Sequence, residues 1–114
     1  MEKIDLTYMK SLAGDDNELI KELIDIFKMQ VPEFIDEMNQ HYNNKDWESL
    51  SQIAHKAKSS LDVMGLSETQ SKLKELELMA KEGTNVEQYK EIIDLFEATC
   101  RQAIIDADEV LENM

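Results

Sequence analysis

The sequence has very few of the residues that interrupt helices. Its 114 residues include three glycines and one proline. Leucine, isoleucine, glutamate, lysine, methionine and alanine are abundant instead, and most of these side chains lose little rotamer freedom in a helix. We therefore predict an all-α fold, and the length predicts one domain, residues 1–114, with a single core.

Cysteine and long apolar segments are equally scarce. One cysteine cannot form an intramolecular disulfide, which agrees with a reducing compartment. No stretch approaches the roughly 20 apolar residues that span a membrane, and the N-terminal MEKIDLTYMK lacks the apolar segment of a secretion signal. We expect a cytoplasmic protein without a membrane partner.

Basic side chains are outnumbered, with 12 lysines and arginines against 25 acidic residues and a formal net charge of −13. Such a chain repels phosphate backbones, so nucleic acid is not expected as a partner. Residues 45–74 differ, because they hold five lysines and four acidic side chains. Phosphate chemistry would favour this segment over the rest of the chain.

Apolar residues recur with helical spacing along most of the chain. Asp5 is predicted to cap a short first helix that ends at Gly14, and Asp15 with Glu18 has the capping-box spacing that opens a second. Pro32 should kink this second helix without ending it, because the apolar stripe continues in phase. The predicted core residues of the second helix are Leu19, Ile20, Leu23, Ile26, Phe27, Val31, Phe34, Ile35, Met38 and Tyr42.

Three further helices are predicted from similar signals. Asp46 can cap a third helix that ends at Gly65, and Ser67 with Gln70 forms a second capping box that opens a fourth. Asn85 is predicted to start the fifth. Four substantial amphipathic helices with short connections predict an antiparallel four-helix bundle with a short extra N-terminal helix.

His55 lies in the third helix, within the segment IAHKAKSSLDVMG at residues 53–65. On a helical wheel the apolar stripe of this helix spans about 300° to 40°, and His55 falls at about 140°. The imidazole is therefore predicted to face solvent. Side chains on the same strip, three, four or seven residues away, are Ser51, Lys58, Ser59 and Asp62.

An exposed histidine usually has no function, so other motifs decide which chemistry is possible. The sequence has no Gly-rich phosphate loop, no GxSxG and no CxxC, and it lacks the paired Glu-x-x-His of di-iron bundles. Neither a metal site nor a cofactor of its own is expected. A neutral imidazole can still attack phosphorus, and Lys58, which lies outside the core stripe and should contribute little to folding, could offset the phosphoryl charge.

These residues resemble the histidine-containing phosphotransfer (HPt) domains of bacterial and fungal phosphorelays. The family pattern is Ala-His-x-x-Lys-Gly-Ser with a glycine ten residues after the histidine, and this chain matches it at Ala54, His55, Lys58, Ser60 and Gly65. The segment DDNELIKELIDIF, residues 15–27, is similar to the family's acidic opening and leucine-rich helix. The resemblance implies the same helical bundle, a phosphoryl group on His55 and a lysine, Lys58, that holds the phosphoryl oxygens.

The resemblance also implies the partners. His55 would accept a phosphoryl group from a receiver-domain aspartate and pass it to another receiver, in a hybrid sensor kinase, a response regulator or both. The Mg²⁺ for this transfer would belong to the receiver, and the chain would act as a monomeric relay intermediate without a nucleotide site. The candidate partner-binding residues are Ser51, Ser59, Asp62 and the apolar Val63, which lies off the core stripe.

Two questions stay open, one about Ser59 and one about Glu77. Ser59 stands where the family usually has glycine, and its Cβ and hydroxyl lie where a partner would close over the phosphate. The chain could therefore be a degenerate HPt domain, a non-catalytic adaptor that binds receivers or other proteins without phosphorylation. Glu77, at the edge of the fourth helix's core stripe, either borders the imidazole and selects its tautomer or is a surface glutamate.

Overall fold

The computed structural model describes residues 1–114, which form five α-helices and one 3₁₀ turn. The helices are α1 (Thr7–Ala13), α2 (Asn17–Asn43), α3 (Trp47–Val63), α4 (Ser67–Glu82) and α5 (Tyr89–Glu112), and the 3₁₀ turn Val86–Gln88 directly precedes α5. Helix α3 packs against α2 and α4, while α5 packs against the same two helices. The all-α bundle with a short N-terminal helix is confirmed. No helix is both long and apolar enough to cross a membrane.

The four long helices enclose one cluster of 25 buried residues. In α2 the buried positions are Ile20, Ile24, Phe27, Val31, Ile35 and Met38, which follow helical spacing of three and four residues. The prediction of Ile26 as a core residue is wrong, because this side chain is exposed and Ile24 is fully buried. Residues two positions apart are rotated by about 200° around the helix axis, so only one of the two can face the core.

Pro32 lies inside α2, which continues over 27 residues without a break. Its missing N–H removes one helical hydrogen bond. The residues on either side, Val31 and Ile35, are both buried in the same core. Packing along the whole helix therefore outweighs the local cost of the proline, and the helix is not divided.

All but one of the predicted helix starts differ in the structure. Leu6, and not Asp5, is the N-cap residue of α1. Asp16, and not Asp15, caps α2, with its carboxylate accepting from the Leu19 N–H at 3.1 Å. The predicted Ser67–Gln70 capping box does not form, since Leu66 occupies the N-cap position of α4 and no side-chain cap is made there. Asn85 starts the 3₁₀ turn, and α5 begins only at Tyr89.

Glu2 supplies the acceptor that the start of α4 otherwise lacks. Its two carboxylate oxygens accept from the backbone N–H groups of Glu68 and Thr69, each at 2.8 Å. The first N–H groups of a helix have no partner within the helix. A residue from the chain's N-terminal segment therefore completes the start of α4.

Gly65 is required where the N-terminal segment crosses the connection between α3 and α4. Its φ of +69° is in the left-handed region, and a Cβ at this position would lie 2.1 Å from the Asp5 carbonyl oxygen. The Asp5 N–H donates to the Met64 carbonyl at 3.0 Å. The glycine thus allows both the turn and the close approach of the segment that leads into α1.

Candidate functional site

His55 lies in the middle of α3, and 68% of its side chain is exposed. The neighbouring Ala54 and Ala57 are fully buried, so the core face of α3 points away from the imidazole. The exposed position predicted by the helical wheel is the one observed. Asp46 helps to set this arrangement by capping α3, with its carboxylate accepting from the Ser49 N–H at 3.1 Å.

Glu77 on α4 contacts the imidazole directly. Its Oε2 lies 3.0 Å from His55 Nδ1, although 22 residues separate the two in sequence. The Ser51 hydroxyl donates to the Glu77 backbone carbonyl at 2.8 Å, which fixes α3 and α4 at this level. Of the two alternatives for Glu77, the structure shows the one in which it borders the ring.

Lys58 approaches the other oxygen of the same carboxylate. Its Nζ lies 2.6 Å from Glu77 Oε1, and the lysine and glutamate side chains are only 14% and 18% exposed. The ammonium and the carboxylate form an ion pair that the two helices shield from water. Lys58 is therefore more buried than a side chain outside the core stripe was expected to be, because α4 covers that edge of α3.

The ion pair keeps Glu77 ionised. Burial favours the neutral acid, but the Lys58 ammonium and, more weakly, His55 favour the carboxylate, and together they lower the pKa of Glu77 below its usual value. An ionised carboxylate only accepts hydrogen bonds, so the nearby Nδ1 must carry a proton to donate. We assign the Nδ1–H tautomer on this contact, which leaves the lone pair of a neutral ring on Nε2.

An open groove of about 560 Å³ runs beside the imidazole. It is lined entirely by polar and charged residues, namely Glu48, Ser51, Gln52, His55, Glu77 and Lys81. The protein contains no group of three or more His, Cys, Asp or Glu side chains placed to hold a metal ion. The groove thus combines an unblocked ring nitrogen with a cation and two carboxylates.

The family model described as Hpt domain matches residues 22–112 of the chain. The chain belongs to the Hpt domain family. No curated protein and no solved structure matches it. Membership supports a general role in histidine phosphotransfer within a phosphorelay, since Hpt domains are phosphotransfer modules and not enzymes with a full catalytic site of their own.

In this Hpt domain the structure separates the four predicted partner-binding residues. Ser59 and Asp62 are exposed on α3, whereas Val63 is only partly exposed and packs against the core. Ser51 is buried, but it lines the groove beside His55, so its contact with a partner stays a prediction. The helical wheel placed Ser51 on an open strip, but α4 lies over it and takes its hydroxyl as a hydrogen-bond donor.

Two other residues of the Hpt motif are structural. The Ser60 hydroxyl donates to Gln30 Oε1 at 2.8 Å and joins α3 to α2. Gly65 permits the crossing of the N-terminal segment beside the end of α3. The motif therefore combines residues that present the histidine with residues that hold its helix in place.

Proposed function

We propose that this Hpt domain accepts a phosphoryl group on Nε2 of His55 from a receiver aspartate and passes it to a second receiver. The observation that carries the proposal is the 3.0 Å contact between Nδ1 and the Glu77 carboxylate. The contact leaves the opposite nitrogen, on a ring that is mostly exposed, for an approaching phosphorus atom. Because Glu77 comes from a second helix, the contact holds the exposed ring in one orientation.

The transfer uses the lone pair of a neutral imidazole. Nε2 attacks the phosphorus of the aspartyl phosphate, a P–N bond forms, and the P–O bond breaks with its electron pair leaving on the aspartate. The ring keeps its proton on Nδ1, so the phosphorylated imidazole carries a positive charge. Glu77 lies where it can balance this charge, and the reverse sequence passes the phosphoryl group to the next receiver.

Little else is needed from the Hpt domain itself. Phosphoryl transfer through a loose transition state depends mainly on alignment and charge stabilisation. In our proposal Lys58 offsets negative charge at the site while it holds Glu77 in place. The receiver supplies the aspartate and the bound Mg²⁺, and this chain supplies an oriented imidazole.

We further propose that the chain acts as a cytoplasmic monomer, with one domain spanning residues 1–114. Its partners are receiver domains of a hybrid sensor kinase, a response regulator or both. The exposed Ser59 and Asp62, with the accessible part of Val63, lie on the same helix as His55 and form the proposed contact surface. Ser51 is buried, so its proposed contribution is limited to the edge of the groove that it lines.

The adaptor alternative depends on Ser59. This residue is exposed on α3 one turn after His55, where the family usually has glycine. If its side chain prevents a receiver from closing over the phosphate, the protein binds receivers without being phosphorylated. The paired Glu77 and Lys58 favour the active domain, because an adaptor has no need of an ionised carboxylate at the ring.

The proposed function is tested with a receiver whose aspartate carries a labelled phosphoryl group. We expect acid-labile label to appear on the wild-type chain and to be absent from His55→Gln, with an unchanged melting temperature because the ring is exposed. His41→Gln is the matched control, since it removes the only other histidine. Label that persists in His55→Gln, or that disappears in His41→Gln, would contradict the assignment.

A further inference from the structure

Two lysines lie near His55, and only one of them is free of an ion pair. Lys58 is largely buried and paired with Glu77 at 2.6 Å. Lys81 is exposed and lines the groove together with His55. It takes part in none of the ion pairs of the protein.

Lys81 is placed next to the imidazole by the geometry of α4. It follows Glu77 by four residues, so the two side chains share one face of the helix. Glu77 contacts His55 Nδ1, and the stem of Lys81 therefore begins one turn from the residue that holds the ring. A lysine has a flexible four-carbon stem, so its ammonium can move toward a new anion without a change in the backbone.

A phosphoryl group on Nε2 would bring negative charge into a groove that already holds Glu48 and Glu77. Lys58 is committed to Glu77, and its release would leave a largely buried carboxylate without a cation. Lys81 is the lysine that lines the groove, and moving it breaks no ion pair. The positive charge that the phosphoryl group needs is thus available from Lys81 at lower cost than from Lys58.

We propose that Lys81 is the residue that contacts the phosphoryl group on His55, and that Lys58 acts on the histidine through Glu77. The inference rests on the proposed function, because it concerns the phosphorylated form of His55. It assigns the two lysines different roles: Lys58 is a positioning residue and Lys81 is a phosphoryl-binding residue.

A structural role for Lys81 is the competing explanation. The residue lies in the last turn of α4, where a positive charge interacts favourably with the helix dipole. That role predicts a lower melting temperature after substitution and no change in a phosphoryl group on His55. The test therefore needs a signal from the phosphorus atom itself.

The test uses the full chain and phosphoramidate, which transfers its phosphoryl group to imidazole nitrogen and releases ammonia. The phosphohistidine is observed by ³¹P NMR, assigned by its absence in His55→Gln, and titrated with pH. A nearby cation stabilises the dianionic phosphoryl group, so Lys81→Gln should raise the pKa of that group by about 0.5 to 1 pH unit. Lys81→Arg should keep the wild-type value.

Lys74→Gln is the matched control. Lys74 precedes Lys81 by two helical turns, is exposed, and lies outside the groove. We expect its substitution to leave the phosphoryl pKa unchanged, and Lys58→Gln to change that pKa less than Lys81→Gln does. Melting temperatures measured on the same samples show whether each variant remains folded at the titration temperature.

The outcomes separate this inference from the proposed function. A wild-type chain that acquires no phosphoryl group on His55 would defeat the proposed function and this inference with it. Two results with a phosphorylated wild type would defeat the inference alone. In the first, Lys81→Gln has the same phosphoryl pKa as wild type. In the second, Lys58→Gln or Lys74→Gln raises that pKa more than Lys81→Gln does. A rise confined to Lys81→Gln, with Lys81→Arg unchanged, supports it.

Discussion

The bundle contains two interhelical pairs of a lysine and a carboxylate, on different pairs of helices. Lys58 Nζ lies 2.6 Å from Glu77 Oε1 between α3 and α4, with side chains 14% and 18% exposed. Lys28 Nζ lies 2.7 Å from Asp108 Oδ1 between α2 and α5, with side chains 36% and 44% exposed. The distances are nearly equal, and the surroundings are not.

This difference shows that the contact length of an ion pair does not indicate its role. Water and salt screen the exposed Lys28–Asp108 pair, which joins two helices at the surface and contributes little. The Lys58–Glu77 pair is shielded by its own helices, and its carboxylate also contacts His55 Nδ1. The shielded pair orients an imidazole, and the exposed pair has no such neighbour to orient.

Glu77→Gln should have the largest effect of any substitution in the two pairs. Glutamine keeps the size of the side chain but removes the charge that balances a phosphorylated ring and neutralises Lys58. A hydrogen bond to a charged group contributes about 1.5 to 3 kcal/mol, so we expect transfer to His55 to slow by about 10- to 100-fold. Quenched-flow transfer from a phosphorylated receiver measures this rate.

Asp108→Asn is the matched control for Glu77→Gln, because it makes the same chemical change in the exposed pair. We expect it to leave the transfer rate unchanged. Equal slowing in both variants would show that general charge, and not the orientation of His55, controls transfer.

Lys58→Ala should destabilise the fold more than Lys28→Ala does. Removal of Lys58 leaves a mostly buried carboxylate without its cation, and we expect the free energy of unfolding to fall by about 1 to 3 kcal/mol. This replaces the small contribution predicted from the helical wheel. Denaturant unfolding of both variants measures the difference, and a greater loss in Lys28→Ala would reverse the roles of the two pairs.

Local sequence patterns were sufficient for the number and order of the helices and for the direction of His55, but not for where each helix starts. Buried apolar residues recur every turn of α3, at Leu50, Ala54, Ala57 and Leu61, so the wheel could place the ring correctly. The burial of Ser51 and Lys58 could not be predicted in this way, because it depends on how closely α4 approaches α3. That approach is a property of tertiary packing, which a wheel drawn for one helix does not contain.

The contacts missed by sequence reasoning join residues that are distant in the chain. The Glu77 carboxylate and the His55 ring are 22 residues apart, and Glu2 contacts the start of α4 across 66 and 67 residues. The capping box predicted at Ser67 was wrong, since the Gln70 N–H donates to the Leu66 carbonyl and Glu2 accepts from the preceding N–H groups. The position of Glu77 at the edge of a core stripe was the one available signal, and it left two alternatives.

Ser59→Gly tests whether the domain that contains the shielded pair transfers phosphoryl groups or only binds receivers. The residue is exposed on α3, so glycine should reduce stability by about 0.5 to 1 kcal/mol through its greater backbone freedom. We expect a modest change in the transfer rate from a labelled receiver, because a serine side chain is small. Weak transfer to wild type together with strong transfer to Ser59→Gly would favour the adaptor.

The two pairs should also respond to opposite ends of the pH range. The pKa of Glu77 is lowered, despite burial, by Lys58 and His55, so its contribution to stability is present above the unfolded pKa and lost as pH falls through the folded pKa. The hydrogen bond to Asp108 raises the pKa of Lys28. Its contribution is present below the unfolded pKa and lost as pH rises through the folded pKa.

Unfolding by denaturant at several pH values measures this contrast. The stability difference between wild type and Glu77→Gln should shrink from about pH 7 to about pH 3, and the difference between wild type and Lys28→Ala should shrink from about pH 7 to about pH 11. A Glu77 difference that grows in acid would contradict the assigned direction of its pKa.

The contact of Glu2 with α4 has a consequence for hydrogen exchange. Amides in the first turn of a helix usually exchange readily with solvent, because they have no acceptor within the helix. The amides of Glu68 and Thr69 instead donate to Glu2 at 2.8 Å. Their protection from exchange therefore depends on the contact with Glu2. Slow exchange of these two amides would show that the N-terminal segment is bound to α4, and fast exchange would show that it is released.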